Sequence, residues 1–306
     1  MISITDVTKN PVLRRELIER AGSKRAAVAV TMWLLLLSGL ATLVYYVYNN
    51  IDTVDPVSTD SALIGKDLFE WTLFGMLGLV LFLVPAFTAS SVAGERTRQT
   101  LIPVQMTTLS PLAIVLGKSL AAIAFTVLLV VVAAPILSVA FLIGGVGLSD
   151  IFKGLGMIVL TAIMLGTTGI MFSALLKKVQ GAIVLTYGFV LAIAIGSFIA
   201  LGVVAAIQSV TADFNESVVP PKEILAVNPF VALADYTAGS DVNFGSNPLT
   251  GLRLAIEGLE NEGFIGNREA ESTSVWRWYV LFCALMIYIS LFVATNRLRM
   301  PAETER

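Results

Sequence analysis

Gly117-Lys118-Ser119 carries the ending of a phosphate-binding loop, which suggests nucleotide chemistry. Such a loop cradles phosphate with backbone N–H groups and needs an opening glycine at what is here Leu112, and Ala113 to Leu116 form an apolar approach rather than a flexible nest. No cofactor is therefore expected on this chain. With His 0 and Cys 1, the sequence has no His-containing triad, none of the usual zinc sites and no intrachain disulfide. A Ser-Lys protease arrangement finds no Ser opposite a mid-membrane Lys, so an enzyme is not expected. The formal charge of -2 excludes a nucleic-acid binder driven by bulk basicity.

The chemistry that remains is recognition. The chain reads Gly94-Glu95-Arg96-Thr97-Arg98-Gln99-Thr100-Leu101-Ile102-Pro103-Val104-Gln105-Met106-Thr107-Thr108-Leu109-Ser110-Pro111, then Ile114-Val115-Leu116-Gly117-Lys118. Mixed charge followed by a short apolar stripe suits a small projecting helix whose Leu101, Val104 and Met106 seat in the groove of a soluble partner. An ordinary re-entry loop has the same composition.

The elements that hold this loop are membrane spans. The sequence has 306 residues, 56% of them hydrophobic and 14% charged, with a mean hydropathy of +0.84. That is too apolar for one or two soluble domains. Runs long enough to cross hydrocarbon occur at Ala26 to Tyr48, Leu68 to Val92, Leu120 to Ile143, Gly154 to Leu176, Ala182 to Ile207 and Val275 to Thr295. Backbone polar groups find no water in lipid, so the expected fold is an all-α integral membrane protein with six transmembrane helices, a single domain over 1–306. The first run ends in Tyr45, Tyr46 and Tyr48 rather than a small-residue cleavage site, and is read as a retained span.

Of the 20 basic residues, fourteen gather on one side: Lys9, Arg14, Arg15, Arg20, Lys24 and Arg25 before span one, Arg96, Arg98 and Lys118 between spans two and three, Lys177 and Lys178 between four and five, and Arg297, Arg299 and Arg306 at the end. Retention of Lys and Arg on the cytoplasmic side then places both termini there. The other side holds Asp52, Asp55, Asp60 and Asp67 and an acidic stretch from Asp213 to Glu271, with Trp71, Trp276 and Trp278 at its boundary. Within 1–25, Asn10 caps and Pro11 opens a helix whose apolar side and basic groups fit an interfacial helix lying on membrane lipids. Within the extracytoplasmic segment 208–274, Asn228-Pro229 opens one short amphipathic helix, and Leu252, Ala255, Ile256 and Leu259 share the face of a second. Asn215-Glu216-Ser217 matches a glycosylation acceptor, a tripeptide common by chance.

Two features bear on transport. The span centres lack Asp, Glu, Lys and Arg; Glu70, Lys153 and Arg277 lie near the outer ends. A carrier driven by ions usually keeps such groups mid-membrane, so any work would draw on an external motor. In span five, Gly188, Ala192, Gly196 and Ala200 recur every fourth residue, a small-residue stripe that lets helices approach closely, either between subunits or within the chain. Ser138, Thr167, Thr168, Ser173 and Tyr187 could line a route or simply bond their own or neighbouring helices. Pro85 and Pro135 can kink spans two and three.

With the loop and spans in place, the chain resembles the membrane subunits of type-2 ATP-binding cassette (ABC) export systems. That family typically places Glu, a basic residue and Thr-Leu after span two, then a threonine, a Ser or Pro turn and Ile-x-x-Gly-Lys leading into span three. Here Glu95, Arg96, Thr100, Leu101, Thr107, Ser110, Pro111, Ile114, Gly117 and Lys118 occupy those places, with Gln99 where Gly is usual and Pro103 in the following turn. Asn10-Pro11-Val12-Leu13-Arg14-Arg15-Glu16-Leu17 and Asn228-Pro229-Phe230 are similar to a bacterial branch of it. The resemblance implies an efflux permease of the bacterial cell membrane whose cytoplasmic coupling loop, 93–118, engages a cytosolic ABC ATPase subunit through Glu95, Arg96, Thr100, Leu101 and Val104. ATP and Mg would sit on that partner. It also implies a dimer with a second copy or a paralogous permease, for which span five supplies Gly188, Ala192, Gly196 and Ala200. A non-transporting scaffold or sensor that recruits a cytosolic protein through the same loop is the alternative.

Overall fold

The computed structural model describes residues 24–51, 61–99, 111–211, 221–237, 248–253 and 274–298. Among them every regular element is helical, and six helices are long and apolar enough to cross a membrane. Span one is α1 (Lys24–Ile51). Span two joins α2 (Ser61–Thr88) through a turn to the short α3 (Ala93–Thr97). Span three is α4 (Pro111–Ile143) and span four is α5 (Leu148–Leu175). Span five is built from α6 (Val179–Leu191), a π-helical turn (Ala192–Gly196) and α7 (Ser197–Thr211). A 3-10 turn (Lys222–Val227) and α8 (Pro229–Tyr236) follow, then a short helical run at 248–253, and α9 (Val275–Leu298) is span six.

Several helices outrun the apolar stretches. A helix of 28 residues such as α2 is about 42 Å long, against a hydrocarbon core of about 30 Å. Its start at Ser61 rather than Leu68 carries Lys66 and Asp67 within the helix, beyond the run that hydropathy marks. Likewise Pro111 is the first residue of α4, where its missing N–H costs nothing, rather than part of a turn ahead of the span. The helix continues through Pro85 and Pro135.

Packing divides the bundle into a centre and a periphery. α5 packs most extensively on α9, and also on α2 and α4. The core between them is Leu73, Met76, Leu77, Val80, Ile158 and Leu165, all buried. Buried hydroxyls tie spans four and six together, Thr161 to Tyr279 at 2.8 Å and Thr168 to Ser290 at 3.3 Å. Spans one and five keep most of their apolar side chains on the outside, among them Val28, Met32, Val184 and Ile199. At one end α2 and α4 meet backbone to backbone. A Cβ at Gly65 would collide with the Gly144 carbonyl oxygen, and one at Gly145, which sits at φ +79, with that of Ala62.

The interfacial helix read in 1–25 and the remainder of the second outer helix, past Arg253, lie outside the described residues. Thr100, Leu101, Val104, Thr107 and Ser110 also lie outside them.

Candidate functional site: the loop after span two

Ser90 to Gln99 form the described part of the loop, and its local fold follows from three contacts. The Ser173 hydroxyl, near the end of α5, accepts from the backbone N–H groups of Val92 and Ala93, both at 2.9 Å. These are orphan donors at the start of α3, which has no cap from its own sequence. The Arg96 guanidinium donates to the carbonyls of Leu176 at 3.1 Å and Ala174 at 3.4 Å. A cation at a helix C-terminus satisfies orphan carbonyls and complements the helix dipole. Glu95 accepts from Lys118 at 2.8 Å, an ion pair in which the Lys is buried and the Glu partly exposed.

These contacts assign Glu95 and Arg96 a position that the sequence did not reveal. Both side chains turn toward the bundle, Glu95 to span three and Arg96 to the end of span four. Lys118, the lysine of the failed phosphate-loop triplet, is the buried half of the clamp. Ser173, one of the five polar residues that could have lined a route, is its hydrogen-bond acceptor. Past the clamp, Gln99 adopts φ +57, the left-handed conformation that costs an ordinary residue about 1–2 kcal/mol. Its N–H donates to the Arg96 carbonyl at 3.1 Å, closing the end of α3. That conformation accounts physically for a preference for Gly at this place.

The other four of the five polar residues that could have lined a route are also engaged. Ser138 donates to the Ala134 carbonyl, Thr167 to those of Ile163 and Met164, Thr168 to that of Met164, and Tyr187 to that of Phe82. An apolar cleft of about 500 Å³ opens between spans one, two and three, lined by Ala41, Tyr45, Leu68, Ile136 and Val139 among others. Ser38 and Thr42 on its wall bond their own helix carbonyls, so the wall presents little polarity.

The small-residue stripe lies on the exterior of the chain. Gly188, Ala192 and Ala200 are exposed and Gly196 is half-buried. Nothing lies within 4 Å of a Cβ built on Gly188, and one on Gly196 meets only its own helix. Packing within the chain, one of the two uses open to the stripe, is not what these residues do among the described ones.

The opposite end is organised around α8. Asn228 caps it as its sequence suggests, its Oδ1 accepting from Phe230 N at 2.9 Å and Val231 N at 3.3 Å. Glu70 of span two pairs with Arg253 at 3.6 Å and accepts from Thr250 at 3.2 Å, while Arg253 also donates to the Ala234 carbonyl. Asp235 accepts from Trp276 N at 2.8 Å, capping the start of α9. This network was not visible in the sequence; the acid in span two and the base in the outer segment were the only signal.

Compared with known proteins, the chain matches no family model and no curated relative.

Proposed function

We propose that this protein is the membrane subunit of an ATP-driven export system of the type-2 ABC class, in a bacterial cell membrane with both termini cytoplasmic. In this reading the chain forms half of the substrate route. The ATP and Mg are bound by a separate cytosolic ATPase subunit.

The observation that carries the reading is the clamp at Glu95, Arg96, Lys118 and Ser173. An ordinary connection between two spans has no need to be fastened to the span it leads into and also to one that it does not join. Here the loop is fixed to span three by the ion pair and to span four by Ser173 and Arg96. A push on the segment beyond Gln99 would therefore reach α5, the helix at the centre of the bundle. We assign Glu95 and Arg96 to positioning, and direct docking to the residues that follow, Thr100, Leu101 and Val104. The outward-facing stripe of Gly188, Ala192, Gly196 and Ala200 supports a second membrane half, a further copy or a paralogue, against span five.

Leu101→Asp tests the assignment. A charge buried without a partner at a docked anchor costs on the order of 2 kcal/mol or more. Copurification of the ATPase and substrate-stimulated ATP hydrolysis should both fall while membrane insertion is kept. Retention of the partner together with intact transport would reduce the loop to a simple connection. Partner loss with no ATPase among the proteins bound by the wild type would favour the scaffold reading.

A further inference from the structure

The π-helical turn at Ala192–Gly196 interrupts span five in the middle of its apolar run. Such turns absorb one extra residue and leave the local ladder of backbone bonds misaligned, which is costly where no water can repair it. Asn228 reaches this turn from the far side of the 3-10 turn. Its Nδ2 donates to the Ala194 carbonyl at 2.9 Å and to the Ser197 hydroxyl at 2.8 Å, and Ser197 in turn donates to the Ile193 carbonyl at 3.0 Å. Asn228 is fully buried, and with its Oδ1 capping α8, both ends of the amide are used. The cap alone would be served as well by Ser or Asp. Only an amide also supplies the two donors that go to span five.

We propose that Asn228 is a positioning residue for span five: its amide holds the π turn in place and so fixes the register of Ser197–Thr211, deciding which face the second half of that span turns outward. The inference rests on helix geometry and stands apart from ATP-driven transport.

The register matters for a group of residues already described. In an unbroken α-helix each step of four residues overshoots a full turn by about 40°, so Gly188, Ala192, Gly196 and Ala200 would fan out over about 120°. With one extra residue absorbed in the π turn, the step from Ala192 to Gly196 counts as three helical positions and falls back by about 60°. The four small residues then lie within about 60° of one another. Reversion to an α-helix would rotate Ser197–Thr211 by about 100° and advance it by about 1.5 Å relative to α6. Span five is thus an element with two discrete registers, and Asn228 favours one of them.

The test reads the phase of the helix directly. Spin labels are placed one at a time from Ile199 to Ile207 in the full chain, in a Cys283→Ser background and in phosphatidylcholine nanodiscs, and oxygen collision is measured at each. In the parent, accessibility should peak at Ile199, Val203 and Ile207, the exposed large side chains of this stretch, with the exposed Ala200, Gly202 and Ala206 beside them. Asn228→Ser, which keeps the cap and removes the two donors, should shift the profile by about 100°, one residue along the helix. Deleting Ile195 removes the extra residue, so the deletion should keep the parental phase and make it insensitive to Asn228→Ser. An unshifted profile in Asn228→Ser, or a rotated one in the deletion, would overturn the proposal. If Asn228→Ser alone fails to insert, the double variant decides: recovery on deleting Ile195 supports the proposal, and continued failure overturns it.

Discussion

At the loop end, Lys118 is sealed in the bundle while the Glu95 side chain keeps 22% of its surface exposed; at the opposite end Glu70 and Arg253 are both enclosed, at 2% and 5%. Each pair ties span two to a neighbouring segment. The difference is whether the acid can find water when its partner leaves. Removing one partner of a fully buried pair is costly, because the remaining charge has no solvent to return to, whereas a partly exposed acid can rehydrate when its base is removed. The two ends therefore differ in the cost of removing the base, high at Arg253 and lower at Lys118.

Arg253→Met should produce the largest effect, since it strands the Glu70 carboxylate and removes the donors to the Ala234 carbonyl. The expected loss is about 3–5 kcal/mol of stability, measured by reversible unfolding in bicelles. Combining it with Glu70→Leu should recover most of that, because an apolar pair of similar volume often replaces a buried ion pair at little cost. Lys118→Met should cost less, about 1.5–3 kcal/mol, the range for a hydrogen bond to a charged group. A Lys118→Met loss as large as that of Arg253→Met would erase the contrast between the two ends. The smallest effect has the opposite sign. Gln99→Gly relieves the left-handed strain but loosens the unfolded chain, for a net gain of up to about 1 kcal/mol. Hydrogen exchange of the α3 amides should slow accordingly, and faster exchange would mean that Gln99 makes a contact worth more than its strain.

The two ends also differ in how far the sequence reveals them. The six spans follow from composition, because lipid leaves a run of Leu, Val, Ala and Ile no alternative to helix. The cap at Asn228-Pro229 is local, contained in a few residues, and was readable for that reason. The other half of the Asn228 amide was not, because Ala194 and Ser197 are 34 and 31 residues away and are reached across a π turn that no pattern announced. Glu95 and Arg96 enter the coupling loop through the resemblance, which says nothing of their neighbours within the chain. Within the chain they meet Lys118, 23 residues on, and the end of α5, about 80 residues on, which only tertiary packing brings together. Ser173 hid among other hydroxyls, since a Ser that caps another helix looks the same in sequence as one bonded to its own. Apolar runs mark the spans and not the helix ends, so the charged turn at Lys66 and Asp67, which extends α2 beyond its run, goes unread.

The pairing of Glu70 with a segment some 180 residues further along imposes an order in time. At a synthesis rate of about 5–20 residues per second, Glu70 reaches the membrane about 10–40 s before Arg253 and Thr250 exist. Throughout that interval the Glu70 carboxylate lacks the Arg253 and Thr250 partners that it has in the finished chain. The second half of the chain thus completes the first: the base that pairs with Glu70 is made only after span five.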